Sequence, residues 1–249
     1  MAYYRQLAYS FGPPLTRAVK WLIVVTSACF VVTYIPRMIF QSAVFEYPFI
    51  LFALQPNDVV HGFHLWELVT YLFLHGGWFH IIFNMFALWM FGSELERLWG
   101  TRKFLSYYFL TGIGAGAFDV TLNTLFHPGV PTGTIGCSGA IYGLLLAYGM
   151  LFPRRPIYLW MIVPIQARWF VVIIGGIEFL SSFSGPGTGI SHFAHLGGML
   201  FGFIYLRGFS LPHRWQLGYH DWRRARLRRK FEVYMRKHEE KEDPSRWLN

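Results

Sequence analysis

The chain contains little charge for its length. Only 14% of its 249 residues are charged, whereas 54% are hydrophobic and 20% are aromatic. Soluble domains carry about 25% charged residues, so this composition argues against a soluble globular protein and indicates a membrane protein. The charge that is present is predominantly basic, with 22 Lys and Arg residues against 13 Asp and Glu residues.

Cysteine is also scarce. Cys29 and Cys137 both lie in apolar stretches, and such a pair provides neither a disulfide framework nor a metal cluster. We interpret both as packing residues, although Cys137 keeps a reactive alternative because it adjoins Ser138. The histidines include no His-Glu-x-x-His motif, the helical zinc-ligand pattern of metalloproteases. The sequence therefore predicts no metal site.

The N-terminal segment lacks the apolar core of a signal peptide. Residues 1–17 contain Arg5 and Arg17 among Tyr, Gly and Pro. We therefore expect this segment to be cytoplasmic and the first apolar span to act as its own anchor.

Long apolar runs dominate the rest of the chain. A helix that crosses a bilayer needs about 20 apolar residues, or fewer where neighbouring protein shelters it. We predict an all-α membrane protein in which residues 18–209 form a bundle of six transmembrane helices. The predicted spans are 18–40, 78–99, 104–125, 138–152, 167–183 and 191–206.

Basic residues predict the orientation of these spans. If the N-terminus is cytoplasmic, 21 of the 22 Lys and Arg residues lie on that side and only Arg37 lies outside. This asymmetry is the positive-inside pattern. An odd number of missed spans would destroy it, so charge supports six spans with both termini in the cytoplasm.

The first outer connection, residues 42–77, is unusually apolar for a loop. It contains many Phe and Leu residues but is interrupted by Pro48 and Pro56. A segment lying in the membrane interface fits this pattern, and so does a packed cap on the bundle.

The C-terminal segment, residues 210–249, is basic. Its 222–231 run alternates Arg and Lys with apolar residues at helical spacing, so we expect it to bind anionic lipid, at about 1 kcal/mol per charge near the surface. Topology already explains these charges, so no nucleic-acid partner is expected.

A serine flanked by glycines marks the start of the fourth span. Gly136 and Gly139 leave the backbone around Ser138 open to close approach, and the N–H groups at the start of the following helix could stabilise an oxyanion. Helix packing is the alternative use of such a motif.

Depth estimates bring other polar residues to the level of this serine. Counted from the next inner basic residue at 1.5 Å per residue, Ser138 lies about 24 Å up and His195 about 18 Å. By the same count His80 lies about 26 Å up and Asn84 about 20 Å. All four fall in the outer half of a hydrocarbon core that is about 30 Å thick.

The fourth span is too short for a full crossing, at about 22 Å from Ser138 to Phe152. The preceding loop, residues 127–133, must therefore dip into the membrane. Non-helical backbone is tolerated there only in a water-filled cavity or buried in protein.

Small residues are spaced for close helix contact on two spans. Gly139 and Gly143 on the fourth, and Gly198 and Gly202 on the sixth, form small-xxx-small pairs. They could bring the serine and the histidine together, or serve generic packing.

These residues fit nucleophilic hydrolysis. His195 would remove the proton from Ser138, and the Ser138 N–H with the side chains of His80 and Asn84 would stabilise the oxyanion. The sequence assigns no carboxylate to orient the imidazole. Tyr142, one turn after the serine on the same face, could hold the ring by stacking.

Two acids in the predicted spans have no assigned role. Asp119 lies about 22 Å up from Phe104, and Glu178 about 15 Å up from Arg168. Structural hydrogen bonding and a proton or ion pathway are both open for them.

From residue 18 to residue 209 the chain resembles the rhomboid intramembrane serine proteases. The resemblance is carried by the Gly136–Gly139 motif, His80 and Asn84 on the second span, Tyr142, and the Ala194–Gly198 run. It implies a six-helix bundle, a Ser138/His195 dyad, an oxyanion site at His80, Asn84 and Ser138, no cofactor, and lateral entry of substrate helices near the second and fifth spans. One departure is Trp66-Glu67, where many members have Trp-Arg.

The function expected from these features is cleavage of transmembrane-helix substrates in a membrane, which we expect to be the bacterial plasma membrane. A catalytically silent rhomboid-like protein that binds membrane clients is an alternative. A small transporter built around Asp119 and Glu178 is another, although no inverted pair of interrupted helices supports it. Nothing in the sequence specifies an oligomeric state.

Overall fold

The structure, a computed structural model, describes residues 12–130, 132–159, 162–184 and 191–209. The chain divides into a unit of Met1–Ile204, which contains the candidate site, and a second unit of Tyr205–Asn249. The basic C-terminal segment and most of the N-terminal segment lie outside the described residues.

The described residues are mostly helical. The α-helices are α1 (Arg17–Phe40), α2 (Tyr47–Phe52), α3 (Pro56–His61), α4 (Glu67–Thr70), α5 (Trp78–Ala87), α6 (Ser93–Trp99), α7 (Thr101–Phe126), α8 (Ser138–Leu151), α9 (Ala167–Ser181) and α10 (His192–Phe209). A π-helical turn, Leu88–Gly92, joins α5 to α6, so the two form a nearly continuous rod.

Among the described helices, α1 and α7 are long and apolar enough to cross a membrane. The segment Glu67–Phe73 joins Trp78–Trp99 at a bend of 98°, and this pair would supply one further span if it is counted as one. Apolar side chains cover much of the outer surface of α1, where Val32 and Trp21 are exposed. The protein is therefore an integral membrane protein, and the number of six spans stays a prediction.

Each of the six predicted apolar segments is helical, with ends that agree within three residues. The all-α prediction missed one feature, a short antiparallel hairpin between α8 and α9. Its strands β1 (Pro156–Leu159) and β2 (Val163–Gln166) pair with Ile157 opposite Ile165. Four-residue strands are too short to give a clear alternation in sequence, so only their pairing reveals them.

Helix α7 is the centre of the bundle. One of its faces, from Phe104 through Tyr108 and Ala115 to Asp119, is completely buried. Two tyrosine hydroxyls attach it to its neighbours: Tyr71 donates to the Gly112 carbonyl, and Tyr107 donates to the Gly143 carbonyl on α8, each at 2.7 Å. These bonds satisfy polar groups that lipid could not.

The first outer connection folds into short helices rather than an open loop. Phe49, Ala53 and Leu74 are buried together, whereas Ile50, Phe63 and Trp66 are exposed. The connection thus packs on the bundle and also presents an apolar surface. Glu67, at the position of the departure from the family pattern, is fully buried; it accepts the Gln55 N–H at 2.8 Å and lies 3.1 Å from His64 Nδ1.

The backbone before α8 is hydrogen-bonded to this same connection. Thr134 and Leu54 exchange two backbone hydrogen bonds of 2.9 Å, and the Gly136 N–H donates to the Tyr71 carbonyl at 2.8 Å. Residues 134 and 136–137 are buried, whereas residues 128–130 and 133 are exposed. The buried, non-helical backbone therefore starts later than the 127–133 loop, and protein rather than water satisfies it.

Candidate active site

The candidate nucleophile and base lie on different helices but meet at their N-terminal ends. Ser138 is the first residue of α8, and His195 lies in the first turn of α10. The Ser138 Oγ is 2.7 Å from His195 Nε2. His195 is 7% exposed and Ser138 is partly buried. This distance is within the hydrogen-bond reach that proton transfer between a serine and an imidazole requires.

The two helices approach closely because glycines face each other below this pair. A Cβ added at Gly198 would collide with the carbonyl oxygen of Gly139. One turn further on, a Cβ at Gly202 would lie 3.4 Å from the Gly143 Cα. Any side chain at Gly198 would therefore push α10 away from α8, and with it His195 away from Ser138.

Tyr142 holds the imidazole from the other side. Its ring stacks on that of His195, with centroids 4.2 Å apart and planes at 9°. Tyr142 is one turn after Ser138 on α8, so a single helix face presents the serine to Nε2 and a flat ring to the imidazole face. This stack restricts rotation of the imidazole.

A carboxylate that the sequence left unassigned lies at the far side of His195. Glu178 on α9 is 6% exposed, and its Oε1 lies 3.0 Å from His195 Nδ1. That nitrogen has no well-aligned hydrogen-bond partner among the described residues, so the contact is at ion-pair distance without the alignment of a formed hydrogen bond. The Tyr142 hydroxyl donates to the same oxygen, and His192 Nδ1 lies 2.6 Å from Oε2.

The predicted side-chain donors to the oxyanion, His80 and Asn84 on α5, lie next to the turn that precedes Ser138. Gly136 has a φ of 109°, a conformation that favours glycine. A Cβ there would lie 2.6 Å from His80 Nε2 and 3.8 Å from Asn84 Nδ2. Asn84 is 7% exposed, and its Nδ2 donor has no partner among the described residues. Both side chains of α5 thus flank the backbone beside the serine.

Asp119 on α7 ties together the two chain segments that carry the pair. It accepts hydrogen bonds from Thr134 Oγ1 and Asn123 Nδ2, each at 2.9 Å, and from the Ser191 hydroxyl. The Ser191 Oγ in turn accepts the Ala194 N–H at 3.1 Å, at the start of α10. This network is structural: it anchors the loop before Ser138 and the helix end that bears His195.

Cys137 is fully buried, and its Sγ lies 3.7 Å from His75 Nε2. Both described cysteines are free thiols. The burial of Cys137 fits the packing interpretation.

Within the described residues, two groups of side chains have a composition that could ligate a metal ion. Glu178, His192 and His195 present ligand atoms within 4.8 Å of one another, as do Asp58, His64 and Glu67. In each group the carboxylate and a histidine already contact each other, Glu178 with His192 and Glu67 with His64.

The residues singled out in the sequence therefore gather around Ser138, and sequence reasoning missed Glu178 and His192. A signal for Glu178 was present, because its estimated depth of about 15 Å is close to the roughly 18 Å of His195. The direction in which Glu178 points around α9 could not be read from that estimate.

A helical membrane protein with a Ser/His pair at the adjoining ends of two helices is the class of protein that these features define. The sequence profile described as "Rhomboid domain" matches residues 62–211. The chain belongs to the rhomboid family.

Several curated relatives are similar to this chain. It is 28% identical to the rhomboid protease GluP of Bacillus subtilis (strain 168) over 66% of its length, and 33% identical to RHOMBOID-like protein 1 of Arabidopsis thaliana over 69%. It is 32% identical to Rhomboid-like protease 5 of Toxoplasma gondii over 66%. The matched regions cover 30%, 41% and 19% of those three proteins, so the chain spans less than half the length of each.

Proposed function

We propose that this protein is an intramembrane serine endopeptidase that cleaves transmembrane-helix substrates with a Ser138/His195 pair. The distance of 2.7 Å between Ser138 Oγ and His195 Nε2 carries the proposal. The names of two relatives, a rhomboid protease and a rhomboid-like protease, agree with it.

The proton route follows from this contact. His195 Nε2 takes the hydroxyl proton as Ser138 Oγ bonds to the substrate carbonyl carbon, and the carbonyl π electrons move onto its oxygen. When the carbonyl reforms, the C–N bond breaks and His195 gives the proton to the leaving nitrogen. Water, deprotonated by His195 in the same way, then attacks the acyl carbon. The C–O bond to Ser138 breaks, and His195 returns the proton to Ser138 Oγ.

The oxyanion would be stabilised beside the turn that precedes α8, where α5 packs against it. The Ser138 N–H lies at the start of a helix, where donors lack intrahelical partners. The Asn84 Nδ2 donor without a partner and the neighbouring His80 supply side-chain donors. Preorganised donors of this kind contribute about 2.7 to 4 kcal/mol each to the barrier reduction.

The finer membrane assignment belongs to the same proposal. Residues 18–209 form the membrane domain with six spans, and residues 1–17 and 210–249 are cytoplasmic, with the basic segment on anionic lipid. Arg37, the only basic residue assigned to the outside, forms an ion pair of 2.7 Å with Glu46 there. A bacterial plasma membrane is the proposed location, and substrate helices are proposed to enter near α5 and α9.

The test is cleavage of a model transmembrane substrate by the purified full-length protein in liposomes. Wild type should cut, whereas Ser138→Ala and His195→Ala should lose activity by several orders of magnitude. A fluorophosphonate should label wild type at Ser138 and leave Ser138→Ala unlabelled. Cleavage by Ser138→Ala at the wild-type rate would disprove the proposal.

The alternatives predict different outcomes. A silent rhomboid-like binder would retain the substrate helix in pull-down experiments but neither cut it nor react with the fluorophosphonate. A transporter would give a voltage-dependent flux that depends on Asp119 and Glu178. Among the described residues, both carboxylates accept hydrogen bonds from neighbouring side chains, as in a structural role.

A further inference from the structure

We propose that Glu178 is a positioning residue for His195, so that the site works as a Ser138–His195–Glu178 chain rather than as an isolated pair. The inference rests on the proposed peptidase function and deepens it. Glu178 does not touch substrate in this scheme; it acts through the imidazole.

Both ring nitrogens of His195 lie close to a side chain of the site. Ser138 Oγ lies 2.7 Å from Nε2, and Glu178 Oε1 lies 3.0 Å from Nδ1 of the same ring. The nucleophile and the carboxylate therefore occupy the two nitrogens of one imidazole. Contacts between catalytic groups are often poorly aligned before substrate binds and tighten in the substrate complex, which accommodates the imperfect alignment at Nδ1.

The charge of His195 changes during the proposed reaction. When His195 takes the serine proton it becomes an imidazolium, and its side chain is only 9% exposed. A buried cation without a partner is costly. The Glu178 side chain is 8% exposed, and its carboxylate lies within ion-pair distance of His195. It is thus placed to stabilise the charge that appears during the reaction and to keep the proton of the neutral ring on Nδ1.

Neighbouring side chains hold Glu178 itself in place. The Tyr142 hydroxyl donates to Oε1 from α8, and His192 Nδ1 contacts Oε2 at 2.6 Å from α10. Both oxygens are therefore engaged by the two helices that carry Ser138 and His195. The same tyrosine stacks on the imidazole, so one residue restrains the ring and the carboxylate together.

The decisive variants are Glu178→Gln and Glu178→Asp. Gln keeps the size but replaces one acceptor oxygen by an NH₂ donor, so the three groups facing the carboxylate can no longer all be matched. Asp keeps the charge on a shorter chain. In full-length protein in liposomes, we expect Gln to reduce kcat by roughly 10²- to 10⁴-fold, the upper figure being the cost of Asp→Asn in Ser-His-Asp enzymes. KM should change less than about threefold, and Asp should recover part of kcat.

Two further measurements distinguish a positioning role of Glu178 from a merely structural one. Asp119→Asn removes another buried carboxylate, which accepts hydrogen bonds from Asn123, Thr134 and Ser191. Its loss of activity per degree of Tm is the reference for a structural effect. Histidine ¹⁵N NMR, with the His195 signal identified from His195→Ala, should show the Nδ1–H tautomer in wild type and a mixture of tautomers in Glu178→Gln.

Failure of the positioning role and failure of the peptidase function give different results. Suppose that Ser138→Ala abolishes cleavage but Glu178→Gln lowers kcat by less than about tenfold. The positioning role is then wrong and the peptidase function stands. The same conclusion holds if Glu178→Gln loses activity only through a higher KM, or only in proportion to its lower Tm. If Ser138→Ala also cleaves, the function is wrong. A kcat loss of about tenfold or more at unchanged KM, with the tautomer change, supports the inference.

Discussion

The ring of Tyr142 lies nearly parallel to the imidazole of His195, with centroids 4.2 Å apart. Because Tyr142 and Ser138 share α8, this stack sets the imidazole relative to the nucleophile through a single rigid helix. The Tyr142 hydroxyl extends past the ring to Glu178, so the residue has two separable roles, and substitution can test each.

Tyr142→Phe keeps the stack and removes only the hydroxyl, whereas Tyr142→Ala removes both. We expect Phe to lower kcat/KM by about three- to tenfold, in line with about 1 kcal/mol for one hydrogen bond. Ala should lower it considerably more. The measurement is kcat/KM on a model transmembrane substrate in liposomes. Equal losses in the two variants would mean that the ring itself contributes nothing.

Asn84→Ala tests the oxyanion site. Asn84 has a buried donor next to Gly136, so its removal should reduce kcat by about 10²- to 10³-fold and leave KM and Tm nearly unchanged. Phe83→Ala is the matched control, because Phe83 is the adjacent residue of α5 and is 56% exposed on the outer surface. A Phe83→Ala loss as large as that of Asn84→Ala would contradict the assignment.

Gly198→Ala tests the close contact of α8 and α10. The added methyl group would collide with the Gly139 carbonyl oxygen, so we expect a loss of about 1–3 kcal/mol in stability and a marked loss of activity as His195 moves from Ser138. Gly176→Ala on α9 is the control, since its added Cβ would meet no atom within 4 Å. Thermal unfolding in mild detergent and cleavage assays measure both. Similar Tm values for the two variants would count against the contact.

Glu96→Ala tests how α1 is anchored. Glu96 is 4% exposed and accepts the backbone N–H groups of Ala18 and Val19, at 3.0 and 3.1 Å, and two threonine hydroxyls. Its loss leaves donors at the start of α1 without partners and should lower stability by about 1–3 kcal/mol.

Glu94→Ala is the matched control for that experiment. Glu94 is a nearby glutamate of α6 whose ion pairs with Arg97 and Arg155 are partly exposed, and such surface pairs contribute about 0–1 kcal/mol. Urea unfolding in detergent compares the two variants. Equal destabilisation would show that the hydrogen bonds of Glu96 stabilise the protein no more than the surface ion pairs of Glu94 do.

The sequence was sufficient to locate the helices and the polar residues within them. Long apolar runs bounded by Gly, Pro and basic residues predicted every helix that carries the site, because burial in lipid demands such runs. It was not sufficient for the 156–166 hairpin or for the short helices of residues 43–73, whose form depends on pairing with distant segments. The Leu54–Thr134 bridge, which holds the loop before Ser138, joins residues 80 positions apart.

The sequence determined how deep each polar side chain lies along its helix. The tertiary structure decided in which direction each side chain points around the helix axis. Residue number along a helix sets depth at a constant rise, so Ser138, His195, His80 and Asn84 could be assigned to one level from the sequence. Direction around the helix axis depends on which neighbour each face packs against. Only the packing of α9 beside α8 turned Glu178 toward His195 and Tyr142, and only the Gly139–Gly198 contact brought the two N-terminal helix ends within hydrogen-bond distance.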